Sequence, residues 1–420
     1  MFTERIYLMK AAGITAEYNP LHNGHVYHIE ETRRITGCDA VVVAMSGDYV
    51  QRGEPAFMDK WVRTEHALRS GADLVLEIPV LFCLGNAGQY AAAAVKTLEA
   101  TGKVTDISFG SESGDTESLL RIAGTLRDNE KEIESAIKDK RDRGLSYPAA
   151  RAQAYSEVSA SIKDTDPDQN PEIKQDIRIL EKANDILAIE YIKAMEKSDP
   201  VVILREGAGY GDPYDERIMY QNASALRTQA FDGRDISGFV PEYTYSSIKN
   251  CHLTGPDRDK WFDTLRYAVL SNDTDIIEDC PSGGEGLASL LKESAASAAS
   301  WSDLIRHIKS KRYTYTRLSR LCMQLVLGIS RSKYNIGGPE YIRVLGFSEK
   351  GRELLAEIRD EETALLPVII NVNKSVKDLN EKAAELLQLD MHASDVYNLM
   401  TTGDLGAFSD HRHSPVMIKK

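Results

Sequence analysis

Two histidines three residues apart, His22 and His25, follow an apolar run and flank a glycine in Asn19-Pro20-Leu21-His22-Asn23-Gly24-His25. Imidazoles with that spacing at the start of a helix can both point at one phosphate. There they can donate hydrogen bonds to the charge that develops when pyrophosphate leaves the α-phosphorus of a nucleotide. A helix start adds unpaired amides and the positive end of a dipole, which suit phosphate oxygens. Gly24 has no side chain, so a nucleotide can approach the backbone closely. In other settings a His-x-x-His pair is structural, or a metal pair on one helix face. The preceding apolar run, the Asn-Pro turn and the interior glycine favour the phosphate reading.

Such a pair works only if a rigid frame presents it. Residues 11–16, 40–45, 73–78 and 105–109 read as buried strands, and 24–36, 58–70 and 87–100 as the helices between them. Strand-helix alternation of this kind gives a parallel, Rossmann-like sheet with right-handed crossovers. Ligands then sit beyond the carboxyl ends of the strands, where strand order reverses. Residues 115–198 read as helical, 201–204 as a strand and 206–212 as a glycine-rich loop. Ser224 is expected to cap a short helix running through 231. A boundary is expected near 243–255, followed by short helices to about 320 and a strand at 366–372.

A chain of 420 residues suggests two or three domains. Hydrophobic residues at 42% and charged residues at 27% are the profile of a globular protein. No apolar run approaches the roughly 20 residues that a membrane helix needs, and the first ten residues lack a signal-peptide layout. Cys38, Cys83, Cys251, Cys280 and Cys322 are scattered, which argues for a reducing cytoplasm and against a zinc site or a disulfide scaffold.

The net charge of −13 is unevenly spread. Residues 305–345 hold Arg306, Lys309, Lys311, Arg312, Arg317, Arg320, Arg331, Lys333 and Arg343 against Glu340 alone, a local +8 that leaves −21 elsewhere. That is either the footprint of a polyanion-binding surface or a solvated helix face.

The segment Glu17-Tyr18-Asn19-Pro20-Leu21-His22-Asn23-Gly24-His25 resembles the HIGH-motif nucleotidyltransferase superfamily. Within it, the chain looks like a bacterial tRNA(Met) cytidine acetate ligase, a family that usually has Phe at the position of Leu21. Further segments match that family in order: residues 45–55, 109–112, 146–151, 184–187, 205–210, 223–227 and 338–347. The resemblance therefore covers nearly the whole chain. Family members often have Asn where Asp48 stands.

The resemblance implies an α/β nucleotidyltransferase domain over 9–245, with the helical 115–198 as an insertion, and an α-rich, tRNA-binding part over 246–420. It implies that acetate attacks the α-phosphorus of ATP to give acetyl-adenylate. The wobble cytidine of elongator tRNA(Met) then takes the acetyl group on its N4 amine, giving N4-acetylcytidine and AMP. Mg2+ is expected on the ATP phosphates, where a divalent ion neutralises the leaving pyrophosphate; no metal site of the protein's own is expected.

By position and resemblance, Thr15, Ala16, Glu17, Tyr18, Asn19, Pro20, Leu21, His22, Asn23, Gly24, His25, Val26, Tyr27 and His28 line the ATP site, with His22 and His25 catalytic. Gly110 ends the fourth strand near the adenosine, or is a plain strand-ending glycine. Asn184 and Arg205 match nucleotide-contacting positions of the family. Otherwise they are a helix cap and a surface ion pair. Ser224 and Arg227 stand where the superfamily has a second phosphate-binding segment, and equally fit an ordinary capped helix. Ser46, Gln51 and Arg52 follow the second strand and are candidates for the acetate or cytosine pocket. Arg151, Lys311, Arg312, Arg317 and Arg320 are candidates to meet tRNA. The competing classes are an adenylyltransferase of cofactor biosynthesis, usually a more compact protein, and a non-catalytic nucleotide- or RNA-binding protein.

Overall fold

The computed structural model describes residues 9–145, 147–209, 212–284, 286–310, 313–405 and 410–419. Lys311 and Arg312, and Ser146 and Tyr210 of the family-like segments, lie outside the described residues.

Residues 11–111 follow the expected alternation. In order they form strand β1 (Ala11–Ala16), helix α1 (Asn23–Thr36), β2 (Ala40–Ser46), α2 (Lys60–Arg69), β3 (Leu74–Ile78), α3 (Ala87–Glu99) and β4 (Val104–Ser111). Every residue of β2 and β3 is buried, as expected of strands covered on both faces. The helices start where the sequence can satisfy their free amides. Asp59 accepts from Trp61 and Val62 at the head of α2, and Asn86 exchanges a capping box with Gln89 at the head of α3.

Between β4 and the next strand, β5 (Asp199–Leu204), the chain is helical, ending in α4 (Ala183–Ala194). Helix α5 (Ala223–Phe231) follows. Its cap is Asn222, whose side chain accepts from Ala225, and not Ser224 as expected. Asn and Ser are equally good caps, so sequence alone could not choose between two positions separated by one residue. Ser224 is thereby left on the first turn with its hydroxyl available elsewhere.

Beyond residue 255 short helices lead to α6 (Tyr315–Val326), and then the chain returns to the sheet. Strand β6 (Ile342–Phe347) pairs antiparallel with β3, and β7 (Val416–Met417) pairs parallel with β6. Between β6 and β7 runs the long helix α7 (Glu381–Met400). The sheet among the described residues reads β7-β6-β3-β2-β1-β4-β5, with Val368–Ile369 also beside β6. The carboxyl-terminal part therefore supplies one end of the sheet, and residue 245 is not where the sheet ends. The strand expected at 366–372 is only Val368–Ile369, because Asn371 caps a short helix at Val372–Ser375.

Strand order reverses between β1 and β4, since β2 and β3 extend to one side and β4 and β5 to the other. The crevice beyond those two strand ends is where a ligand is expected. A core that joins Ile29 of α1 and Ala67 and Leu68 of α2 to the sheet is one part of the apolar interior, and two larger clusters make up most of the rest. One packs the sheet against α3, α4 and the inserted helices. The other joins Trp261, Trp301, Leu318 and Cys322 to Tyr49 of the loop after β2 and to Tyr397 of α7.

A buried ionic cluster ties the two ends of the chain together. Lys60 donates to Glu77, Ser394 and Asp410, and Arg343 pairs with Glu77 and Asp410. Asp48 belongs to this cluster: it accepts from the Lys60 amide at 2.8 Å and from the Ser394 hydroxyl at 2.7 Å. Its contacts are those of a structural residue. Arg343, counted within the basic stretch, is buried here and presents no charge to a polyanion.

Candidate active site

Strand β1 runs out at Ala16, and residues 17–22 turn the chain into α1. Three distant segments hold that turn. The Asn19 side chain accepts from the Phe57 amide, Arg227 donates to the Asn19 carbonyl at 2.6 Å, and Asn23 bonds Gly238 and Phe239. Tyr18, Pro20 and Leu21 are buried beneath the turn and support it. Tyr18 still meets the edge of the His25 ring, 5.0 Å between centroids.

His22 caps α1, and its imidazole stacks on that of His25 with centroids 3.7 Å apart. The His22 amide donates to His25 Nδ1 at 3.2 Å. Neutral His25 must then carry its proton on Nε2, where it is free to donate to a ligand. At Gly24 a Cβ would lie 3.1 Å from the His22 ring, so a side chain there would crowd the imidazole. His28, one turn on, bonds Ser108 of β4 through Nε2 at 3.0 Å and so faces the strand. Tyr27 stacks on Tyr220.

Across the crevice, at the end of β4, Gly110 admits the Arg205 side chain: a Cβ there would lie 2.9 Å from Arg205 Cγ. Asn184 donates to Glu112, and Asp185 collects Ser111 and the amides of Glu112 and Ser113. Gly110, Asn184 and Arg205, far apart in sequence, thus share one wall.

The opposite wall is built around Glu17. The Gln51 amide donates to Glu17 Oε1 at 2.7 Å, and Arg52 reaches Ser224 Oγ at 3.4 Å, where Arg227 also donates at 3.2 Å. Arg52 lies over the Tyr315 ring of α6 and beside Glu54. Thr15 and Ala16 close the strand end between the walls, with Val26 packed behind them. Ser46 is buried at the end of β2.

Arg63 is a residue the sequence did not single out. From the middle of α2 it donates to the carbonyls of Glu17, Ser46, Gly47 and Met58, binding the ends of β1 and β2 into one rim. In sequence it looks like one more charge on an amphipathic helix.

The RNA-facing candidates fare differently. Arg151 is buried in an ion pair with Glu190 of α4, so the structure does not bring it to a surface. Arg317 donates to the carbonyls of Ser282 and Gly283, and Arg320 to that of Gln51. Both brace backbone, and burial lowers the Arg320 guanidinium to about 10. Arg306 and Lys309 are exposed.

All three crevice imidazoles are held neutral. Burial, and secondly the charge of Arg205, lower His22 to about 3 and His28 to about 4, and burial puts His25 well below its ordinary value. A histidine whose folded pKa lies below the unfolded value near 6.5 lets the unfolded chain bind more protons. Stability should then rise with pH between about 3 and 6.5 and be complete above that window. Lowering the pH from 7 to 5 is expected to cost ~1–2 kcal/mol for each such group. Melting temperatures of wild type and His28→Gln across that range check this, and the variant should show the shallower decline.

The chain belongs to the HIGH nucleotidyl transferase family, whose model matches residues 9–410. Among named relatives, it is 35% identical over 421 residues to the tRNA(Met) cytidine acetate ligase of Clostridium perfringens, covering 98% of this chain and all of that one. It is also 34% identical to the enzyme of that name from Clostridium novyi, again over 98% of this chain. Two solved structures of Thermotoga maritima TmcAL have the same fold. The apo form superposes with a TM-score of 0.88 at 32% identity, and a form bound with alpha-thio ATP with a TM-score of 0.85 at 31% identity. Each superposition covers 98% of this chain and all of the other. Among the described residues, no helix is long and apolar enough to cross a membrane.

Proposed function

We propose that this protein uses ATP to activate acetate and transfers the acetyl group to the N4 amine of the wobble cytidine of elongator tRNA(Met), giving N4-acetylcytidine. The observation that carries the reading is the stacked His22–His25 pair at the head of α1, with a free Nε2–H, at the point where strand order reverses. Likeness over the whole chain to enzymes named for this activity supports the substrate assignment.

The two walls divide the labour. The α1 amides, His22, His25 and Arg205 take the phosphates, while Gly110 leaves room and Asn184 lies beside the nucleoside. Neutral imidazoles suit this role, because each can donate to charge that appears only as pyrophosphate departs. Gln51, Arg52, Ser224 and Arg227 form the other wall, where guanidinium groups can hold the carboxylate of acetate until it attacks. Acetate is a poor acyl donor until its oxygen joins a good leaving group, and adenylation supplies one. Mg2+ would arrive on the ATP phosphates and neutralise the leaving pyrophosphate.

The helical carboxyl-terminal part, with its basic stretch, is the proposed tRNA-binding region. Replacing Lys309, Lys311 and Arg312 together by Ala is expected to weaken tRNA binding and flatten its salt dependence. The log–log slope should fall by about 0.9 for each lost contact to a duplex phosphate. Titrations at two salt concentrations, with a melting curve as control, measure this. Equal affinity and slope in a folded variant would place tRNA elsewhere.

The assignment itself is tested by mass spectrometry of tRNA(Met) after incubation with the protein, ATP and labelled acetate. Transfer of label to cytidine is expected. Pyrophosphate release independent of acetate would point instead to an adenylyltransferase acting on another substrate.

A further inference from the structure

Glu17 is a carboxylate in a crevice whose other residues suit anions. Phosphate and acetate oxygens are repelled by it, so phosphate binding does not explain its place. Its Oε1 is held by the Gln51 amide at 2.7 Å, while Oε2 accepts no hydrogen bond among the described residues. The side chain is half-buried and keeps some contact with solvent. The charged groups that face it are Arg227, Arg63 and Glu54, the Tyr90, Tyr191 and Cys83 side chains also feel its charge, and Arg205 faces the three imidazoles. Of the other carboxylates of the crevice, Glu54 is engaged by the Tyr315 hydroxyl at 2.6 Å and by Arg52, and Glu112 accepts from Asn184 on the wall that holds Arg205.

The second half of the reaction needs a proton acceptor. An amine that attacks an acyl carbon becomes cationic and must lose a proton before the amide is stable. The imidazoles serve this poorly, because burial and Arg205 disfavour their protonated forms.

We infer that Glu17 is the general base for acetyl transfer, accepting the proton of the cytidine N4 amine on Oε2. The inference rests on the acetyl-transfer reading above. The N4 lone pair forms a bond to the acetyl carbonyl carbon, and the carbon–oxygen bond to the adenylate phosphate breaks. AMP leaves with that electron pair, the N4 proton passes to Glu17, and water then removes it. Burial raises the Glu17 carboxyl above its ordinary value, which makes it the stronger proton acceptor.

The test is Glu17→Gln, which keeps an oxygen for the Gln51 amide and removes the base. Two single-turnover rates are compared: adenylate formation from ATP and acetate, trapped with hydroxylamine, and acetyl transfer to tRNA(Met) followed by mass spectrometry. Transfer is expected to fall about a hundredfold or more beyond any change in adenylate formation, the usual size of a general-base contribution. Wild-type transfer should also rise with pH through one ionisation, and that limb should vanish in Glu17→Gln and persist in Glu17→Asp. Equal losses in both half-reactions would make Glu17 part of the ATP or Mg2+ site and overturn the inference. So would wild-type transfer by the variant. If the wild-type protein acetylates no tRNA, the functional assignment fails first, and the two failures are told apart.

Discussion

His25→Ala is expected to lower acetate-dependent pyrophosphate release by at least about a hundredfold, with little change in melting temperature. The imidazole has one nitrogen committed to the His22 amide and the other free, so its substitution removes a donor aimed at the leaving phosphates. The amide left behind belongs to the cap residue of α1, whose carbonyl still accepts from the first-turn amides and holds the helix start in place. His22→Ala should behave alike, since its backbone carbonyl still accepts from His25 and Val26 at the head of α1. The loss should fall on the rate at saturating ATP more than on KM, because the interaction strengthens as charge develops. Pyrophosphate release at the wild-type rate in either variant would sink the catalytic assignment.

Arg343→Met should be the most destabilising of the changes considered. Arg343 pairs with Glu77 at 2.9 Å and Asp410 at 3.0 Å in a site closed to water, and Lys60 shares both carboxylates. Removing one cation leaves carboxylate charge buried with less compensation, and breaking such pairs costs about 3–5 kcal/mol. Nearby, burial and the charge of Glu77 raise the Asp390 carboxyl to about 7, and it accepts from the Tyr341 hydroxyl. Further loss of positive charge should push more of these carboxylates to take up protons. Denaturant unfolding of Arg343→Met and of Arg343→Met/Asp410→Asn measures the effect. The double variant should recover part of the loss, because the second change removes the orphaned charge. An equally unstable double variant would show that Arg343 acts through its packing and not through its charge.

These two residues mark how far a single sequence reaches. The β1–turn–α1 unit, with His22 and His25 at the helix head, was legible because its determinants are neighbours in the chain: an apolar strand, an Asn-Pro turn and a small residue. The alternation of residues 11–111 was legible for the same reason, and it located the crevice. Motif resemblance named Gly110, Asn184 and Arg205, which the structure then placed on one wall. Arg63 was missed, because a guanidinium that gathers four carbonyls has the same letter as one in solvent.

Neighbouring residues set the local chemistry: which segments are strand or helix, and where imidazoles meet a helix start. Tertiary structure alone decided which charges face water and which strands share a sheet. Of the basic stretch, Arg343 went into the ionic cluster, while Arg317 and Arg320 went to backbone carbonyls. Strand β6 returned across more than 260 residues to cover the edge of β3, and it begins inside that same stretch. The physical reason is range. Periodicity and capping act over a few residues, whereas the pairing of a buried charge or a sheet edge depends on partners that only the folded chain brings near.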